Sequence, residues 1–437
     1  VSSILDFIII SSSLLAWFEK FPTQNSLSYK TLETNRDKEV VEEIMKLCKN
    51  LKGLTYLNSI KKPKFEFQNS ESVQGDFDKR INAAKALSIY MIRSRLRSSH
   101  VALIEHISGL DGVKEFIDFP IKKSVKNKIK TTELEKLINR NNTPPISNYY
   151  KNVEKPIWLI EKESYRKACI TEKLIYQKIS ELTKKLSGRR ELGKANHLLK
   201  LSSKHKKSLA FDSSIITLSY LKHLINDKNS KVKVLVATGS NKIESEEVLK
   251  KFNLKSFNQE KIIALCSDKM AEGVDLQLAS CLTLLDLPSV IRIVEQRFGR
   301  IDRMDTSHDQ IDLYWPDDSE AFSLKGDRRL ISLNQLVTKM WGSNFQAPSS
   351  LKQKHFSQLD SGIKGIIEEF NQFIDKDDTW EGIKDSFQPV LDLKNEKNGL
   401  ITEQQYSQYR KTETSVKTKV SFLKSSNEWC FICNSRK

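Results

Sequence analysis

Gln296, Arg297, Gly299, Arg300 and Arg303 stand together in the run QRFGRIDR. Arg300 and Arg303 are three residues apart, a spacing that places two side chains on neighbouring turns of one helix face. A guanidinium is permanently charged and presents a planar fork of donors that fits phosphate oxygens. Arginines offered this way can offset charge on a phosphoryl group during transfer. A solvated basic helix face would have the same composition, so the upstream context has to decide. That context is SDKMAEGVDLQ, Ser267 to Gln277, which follows the apolar run IIALC. Gly273 permits backbone conformations that other residues resist. Asp275 could cap a turn or face a ligand. Ser267 and Asp268, just past the apolar run, could offer a hydroxyl and backbone N–H groups to a nucleic-acid phosphate.

From about Leu192 the pattern alternates between short β-rich runs and helical periods, which predicts a parallel sheet. Expected strands are Ser208 to Phe211, Val232 to Ala237, Ile262 to Cys266, Cys281 to Leu285 and Ile311 to Trp315. Expected helices are Leu192 to Leu201, Ile215 to Ile225, Glu244 to Phe252 and Val290 to Phe298. In open sheets of this kind the strand ends carry the reactive groups. Asp212, Ser267 and Asp286 each fall at such an end. LTLLDLP lacks the second acid of a water-orienting pair, and Pro288 suits a turn, so its reading is structural.

These runs resemble the motifs of superfamily-two helicases, nearest the Swi/Snf-like and bacterial RNA-polymerase-associated translocase branch. QRFGRIDR is similar to motif VI, SDKMAEGVDLQ to motif V and SLAFDSSIITLSYL to motif IV. DLP, Asp286 to Pro288, stands between V and VI as in that branch. SRLRSSHVALIEHI, Ser94 to Ile107, resembles a basic helix that packs between lobes there; its residues fit an ordinary Arg-rich helix equally well. Phe298 departs from the pattern, standing where many relatives have a smaller aliphatic residue. The resemblance implies a RecA-like lobe with helices on both faces of its sheet. It implies Arg300 and Arg303 as the catalytic arginine fingers, without deciding which lies nearer the γ-phosphate. Gly273 and Asp275 would contact ATP, Asp275 near the ribose, and Gln296 would touch the nucleotide or the opposite lobe. Ser267 and Asp268 would face nucleic acid, with motif V coupling both ligands, and Arg297 would brace the motif. ATP and Mg²⁺ are the implied cofactors, bound mainly by a first RecA-like lobe, and duplex DNA is the implied track.

The rest of the chain frames this lobe. It has 437 residues, a net charge of +17 and 29% charged residues, which favours a polyanionic partner. Residues 1–190 are expected to be mostly helical, 191–345 to form the RecA-like lobe and 346–437 a small, incomplete α+β region. The apolar run Ile4 to Phe18 is too short to span a bilayer and has no basic leader, so it is expected to be a buried helix and no membrane partner is expected. Helical texture continues to Gly53 with a polar break near Pro22 to Ser28, and Phe77 to Gly109 is expected as one long helix. The lysines between Lys122 and Lys130 read as a solvated face or a phosphate contact. Six scattered cysteines do not make a disulfide framework, so a reducing, cytoplasmic setting is expected. Cys430 and Cys433 form a lone CxxC in an expected hairpin, too few ligands for tetrahedral zinc, and no metal site is expected.

No G-x-x-x-x-G-K-[ST] loop and no DExx pair occurs in these 437 residues. The chain by itself is therefore expected not to hydrolyse ATP, its missing first lobe being expected upstream of Val1. Two rival readings stay open: a lone lobe that only binds nucleic acid or protein, and a subunit that completes an ATPase in trans.

Overall fold

The computed structural model describes residues 22–63, 70–120, 131–140, 142–229, 231–256, 259–271, 274–288, 291–303, 306–324, 347–348, 351, 418–419 and 433–434. The expectations for Ile4 to Phe18, Lys122 to Lys130, Gly273, Cys430 and most of residues 346–437 lie outside the described residues. The chain divides into two compact units, one of Val1–Ser332 with Phe345–His355, the other of Leu333–Asn344 with Phe356–Lys437. Of the range expected for the lobe, residues 333–344 fall in the second unit.

A six-stranded, all-parallel sheet forms the centre of the first unit, in the order β1-β6-β5-β2-β4-β3. The strands are β1 (Thr23–Lys30), β2 (Lys207–Phe211), β3 (Lys233–Ala237), β4 (Ile262–Cys266), β5 (Cys281–Leu284) and β6 (Gln310–Asp317). β2, β4 and β5 are buried along their whole length, as parallel strands covered on both faces must be. The α/β class and the alternating order of strand and helix are as the sequence implies. The helices α7 (Arg189–Lys204), α8 (Ile215–Lys228), α9 (Lys242–Phe252) and α10 (Ile291–Phe298) follow the expected periods. Leu198, Leu218, Leu221, Val234, Ile263 and Leu265 share one apolar cluster between α7, α8 and the sheet.

Thr23–Lys30 corrects an expectation. The sequence reads as a polar interruption among helices, yet it forms the edge strand β1, parallel to β6. Leu27 and Tyr29, two apart and so on one face, pack with Leu201, Cys281 and Tyr314. The Tyr29 hydroxyl donates to the Leu284 carbonyl at 2.8 Å.

The helical region comprises α1 (Asn35–Cys48), α2 (Ser70–Ser98), α3 (His100–Phe116), α4 (Glu133–Ile138), α5 (Ile157–Ile160) and α6 (Lys162–Thr183). Ile44, Ile92, Leu103, Ile107, Tyr176 and Ile179 are among its core. The long helix expected from Phe77 to Gly109 is two helices. Ser99 adopts an extended backbone, φ −167° and ψ 160°, and its hydroxyl accepts from the Ala102 N–H at 3.0 Å. Serine is a preferred N-cap because its oxygen satisfies an orphan donor of the first turn. The hydroxyl thus starts α3 where periodicity alone would run on.

Gly53 has φ +78°, and a Cβ there would lie 2.4 Å from the Ala84 carbonyl carbon and the Lys85 nitrogen, both backbone atoms of α2. The Glu172 carboxylate holds the same loop by accepting from the N–H groups of Lys52 at 2.7 Å and Leu54 at 2.9 Å. Gly53→Ala should cost about 2–4 kcal/mol, combining left-handed strain with a clash that backbone cannot evade. Gly75→Ala in α2 is the control, since nothing lies within 4 Å of its Cβ position. That change should be neutral or slightly stabilising. Urea denaturation of the two variants measures the difference; equal midpoints would contradict this account of the loop.

In the second unit, Thr418–Lys419 (β7) pairs antiparallel with Cys433–Asn434 (β8), which is the outer rung of the expected hairpin. Among the described residues no helix is long and apolar enough to cross a membrane.

Candidate nucleotide-facing site

The carboxyl ends of β2, β4 and β5 lie side by side, and each leads within two residues to a polar side chain. Asp212 follows β2, Ser267 follows β4 and Asp286 lies two residues past β5. Ser267 is buried, and its N–H donates to the Ala237 carbonyl at 3.0 Å. The following residues, Asp268–Ala271, form a 3-10 turn.

Arg297 ties these ends together. It lies on α10 and is 1% exposed. Its Nη1 donates to Asp286 Oδ1 at 2.7 Å, and Nε and Nη2 both reach Asp268 Oδ1, at 2.8 and 2.7 Å. The guanidinium also lies over the Phe211 ring, 5.7 Å from its centroid. One planar fork thereby joins the turn after β4, the DLP turn and the QRFGRIDR run, a geometry lysine could not reproduce. Asp268, whose backbone N–H the sequence offers to a nucleic-acid phosphate, has its carboxylate on Arg297 here. Phe298 is buried edge-on against Trp315 with ring centroids 5.3 Å apart, so the larger residue fills core volume.

Arg300 and Arg303 lie beyond the end of α10, on the turns that follow Phe298, rather than within the helix itself. They nevertheless converge. Arg300 Nε donates to the Gln296 carbonyl at 3.0 Å and Nη1 to the Val274 carbonyl at 2.9 Å. Arg303 Nε donates to the Gly299 carbonyl at 3.0 Å and Nη2 to the same Val274 carbonyl at 3.1 Å. Arg303 Nη1 is 3.9 Å from Asp275 Oδ1, and both side chains are 37% exposed. The structure therefore brings together Arg300, Arg303, the Gln296 backbone and Asp275. It places Ser267 and Asp268 beside Arg297. Two cations are held at one carbonyl, with one carboxylate alongside, at the solvent-accessible edge of the lobe.

Behind this edge sits a buried ionic cluster that the sequence does not announce. Ser213 N–H donates to Asp286 Oδ2 at 3.0 Å. Burial pushes the Asp286 carboxyl up, but Arg297 and Ser213 outweigh it and hold it below the usual carboxylate range. Asp212 is fully buried and pushed up to about 7, by burial first and then by the Asp286 charge. Lys194 Nζ is 4.0 Å from Asp212 Oδ2 and donates to the Ser98 carbonyl at 2.7 Å. Arg97 and Arg190 share Asp318, at 2.7 and 2.8 Å. Burial pushes Asp318 up, yet the charges of Arg190 and Arg97 bring it down to about 2. The only sequence signal for the cluster is the aspartate closing each of two apolar runs, LAFD and TLLD.

Asp212 dictates a pH dependence. Its folded pKa is about 7, above the ordinary aspartate value near 3.9, so in the window between them the folded state binds more protons than the unfolded chain. Stability from this group is complete below the lower value and is lost as pH rises to the upper one, at up to about 1.4 kcal/mol per unit. Asp318 works oppositely in a lower window, losing its contribution as pH falls from about 4 towards 2. Asp212→Asn should flatten the upper window, gaining on the wild type between about pH 5 and 7. Urea midpoints across that range measure it, and parallel curves for the two proteins would contradict the assignment.

Residues 193–305 match the family described as the helicase conserved C-terminal domain. The match falls on the α/β lobe, whose parallel sheet with its helices is the RecA-like fold of helicase C-terminal domains. Among solved structures, the chain is similar to the C-terminal part of the Fun30 ATPase domain, with 15% identity, 80% of this chain and 98% of that one covered, and a TM-score of 0.34. It is also similar to a fragment of a putative HsdR subunit of a type I restriction enzyme from Vibrio vulnificus YJ016, with 17% identity, 30% and 28% covered, and a TM-score of 0.26. T4 UvsW matches with 19% identity, 33% and 28% covered, and a TM-score of 0.26. No curated protein matches the chain.

Proposed function

We propose that this chain supplies the second motor lobe of an ATP-dependent nucleic-acid translocase of the Swi/Snf-like type, with duplex DNA as its track. The observation that supports this best is the convergence of Arg300 and Arg303 on the Val274 carbonyl, beside Asp275 and in front of the Arg297 brace. The pair is pre-placed and half-exposed, as cations must be to meet a phosphoryl group presented from a facing lobe. Swinging away from Val274 to a phosphate exchanges one set of acceptors for another and leaves no charge stranded. In this reading Asp275, beside Arg303, would accept a hydrogen bond from the ribose. In this reading the Mg²⁺ ligands and the phosphate loop would come from the facing RecA-like lobe. Opening and closing of the two lobes would move one of them along the backbone.

The polyanion side of the reading is testable on the chain as it stands. With 72 lysines and arginines against 55 aspartates and glutamates, it should bind duplex DNA through phosphate contacts. Fluorescence anisotropy should show weak binding at about 50 mM salt that falls at least tenfold by about 200 mM, with heparin an effective competitor. No binding at low salt, or binding indifferent to salt, would contradict it.

A further inference from the structure

The corner where α2 ends and α3 begins, Arg97 to His100, is driven into the crevice between the carboxyl ends of β2 and β5. Ser98 Oγ donates to Asp212 Oδ1 at 2.6 Å, and its oxygen lies 2.7 Å from Thr217 Oγ1. Ser99 Oγ lies 2.6 Å from the same threonine oxygen. Arg97 Nη1 donates to the Leu287 carbonyl at 3.1 Å, while its Nε is held by Asp318 at 2.7 Å. From below, Lys194 donates to the carbonyl of Ser98, and Arg190 to that of Arg97 at 2.9 Å. Arg97, Ser98 and Ser99 are each at most 2% exposed.

The corner thus grips both strand ends that Arg297 depends on. Asp212 precedes Ser213, whose N–H fixes Asp286; Leu287 follows Asp286; and Asp286 anchors Arg297. The crevice at which an open parallel sheet reverses its strand order is where such folds usually seat a ligand. Here the helical region fills it with its own backbone and hydroxyls. Buried, closely packed groups joined by hydrogen bonds in this way have few alternative arrangements, so displacement at one end is transmitted rather than absorbed.

We propose that Arg97 and Ser98 are positioning residues for motif VI, fixing Asp286 and through it Arg297 and the turn that carries Arg300 and Arg303. Under the motor reading, on which its functional meaning rests, the helical region becomes a lever on the two finger arginines. The mechanical link itself is measurable without nucleotide, so its failure and the failure of the motor reading are distinguishable.

The test is amide hydrogen exchange by mass spectrometry on the whole chain. Ser98→Ala and Arg97→Ala should speed exchange of α10 and residues 299–303 by about tenfold or more, a local opening, with β3 and α9 unchanged. Asp212→Asn should leave α10 protected, because an amide oxygen can still accept from both Ser98 and the Ser214 N–H; Asp212→Ala should not. If Arg97→Ala does not fold, the Ser98 and Asp212 variants carry the test. Faster exchange confined to α2 and α3, or spread equally to β3 and α9, would overturn the proposal. So would Asp212→Asn behaving like Asp212→Ala.

Discussion

Arg297→Ala should lower the unfolding free energy by about 3–5 kcal/mol, the scale of breaking one side of a buried ion pair. The cost comes from what is left behind. Asp286 would keep only the Ser213 N–H, with Asp212 beside it and solvent shut out. An unpaired buried carboxylate escapes by taking a proton, so the Asp286 pKa should rise in the variant and the loss should be smaller at acid pH. Domains of this kind are stable by about 5–15 kcal/mol, so the variant stands near the edge of folding. Arg297→Lys should recover only part of the loss, because a single ammonium cannot bridge Asp268 and Asp286 together. Arg292→Ala, on the exposed side of the same helix, should stay within about 0.5 kcal/mol of wild type. Replacing Arg297 and Asp286 together by leucines should restore much of the stability, since the pair then leaves no charge behind. Urea denaturation followed by circular dichroism compares all four. A loss below about 1 kcal/mol for Arg297→Ala would show that Asp286 is reached by water and that the brace is not structural.

What the sequence made legible follows from how local each feature is. Ile262–Cys266 is apolar throughout and ends in a polar residue, so its strand was readable residue for residue. Arg297 could be read as a brace only through the resemblance of QRFGRIDR to a known motif, since its own spacing does not separate it from Arg300 and Arg303. β1 could not be read, because TQNSLSYK has little apolar content and its partner strand lies more than 280 residues away, with Thr23 against Gln310. Only the shared face of Leu27 and Tyr29 hinted at it. The break at Ser99 was written in the Ser-Ser pair, but a serine inside a helical period looks the same until its hydroxyl finds an N–H to cap. The buried cluster was the least legible. Arg97, Arg190, Lys194, Asp212, Asp286 and Asp318 come from separate segments, and each alone looks like a surface charge.

The second large effect concerns the finger pair. In an enzyme assembled with a phosphate-loop lobe, on the same polypeptide or a partner, Arg300→Ala or Arg303→Ala should cut ATP turnover by about 10³-fold or more. The phosphoryl group gains charge on its oxygens as it transfers, and a cation already in place stabilises that charge without reorganisation. Both guanidinia are already steered by backbone carbonyls of their own turn, Gln296 for Arg300 and Gly299 for Arg303. That steering fixes each side chain's root while leaving Nη groups to exchange Val274 for phosphate. Lysine should rescue poorly at either position, since it lacks the planar fork. Folding should survive, because either change removes hydrogen bonds at a half-exposed edge and leaves no buried charge without a partner. Arg297→Ala differs in kind: it should lose stability and turnover together.

Steady-state ATP turnover of Arg300→Ala in that assembled enzyme, with duplex affinity measured on the same preparation, tests the motor-lobe account most directly. The account predicts turnover down by about 10³-fold, duplex affinity within about threefold of wild type and an unchanged circular dichroism spectrum. Turnover within about threefold of wild type, a barrier change under about 1 kcal/mol, would contradict it, leaving QRFGRIDR as a structural turn in a binding module.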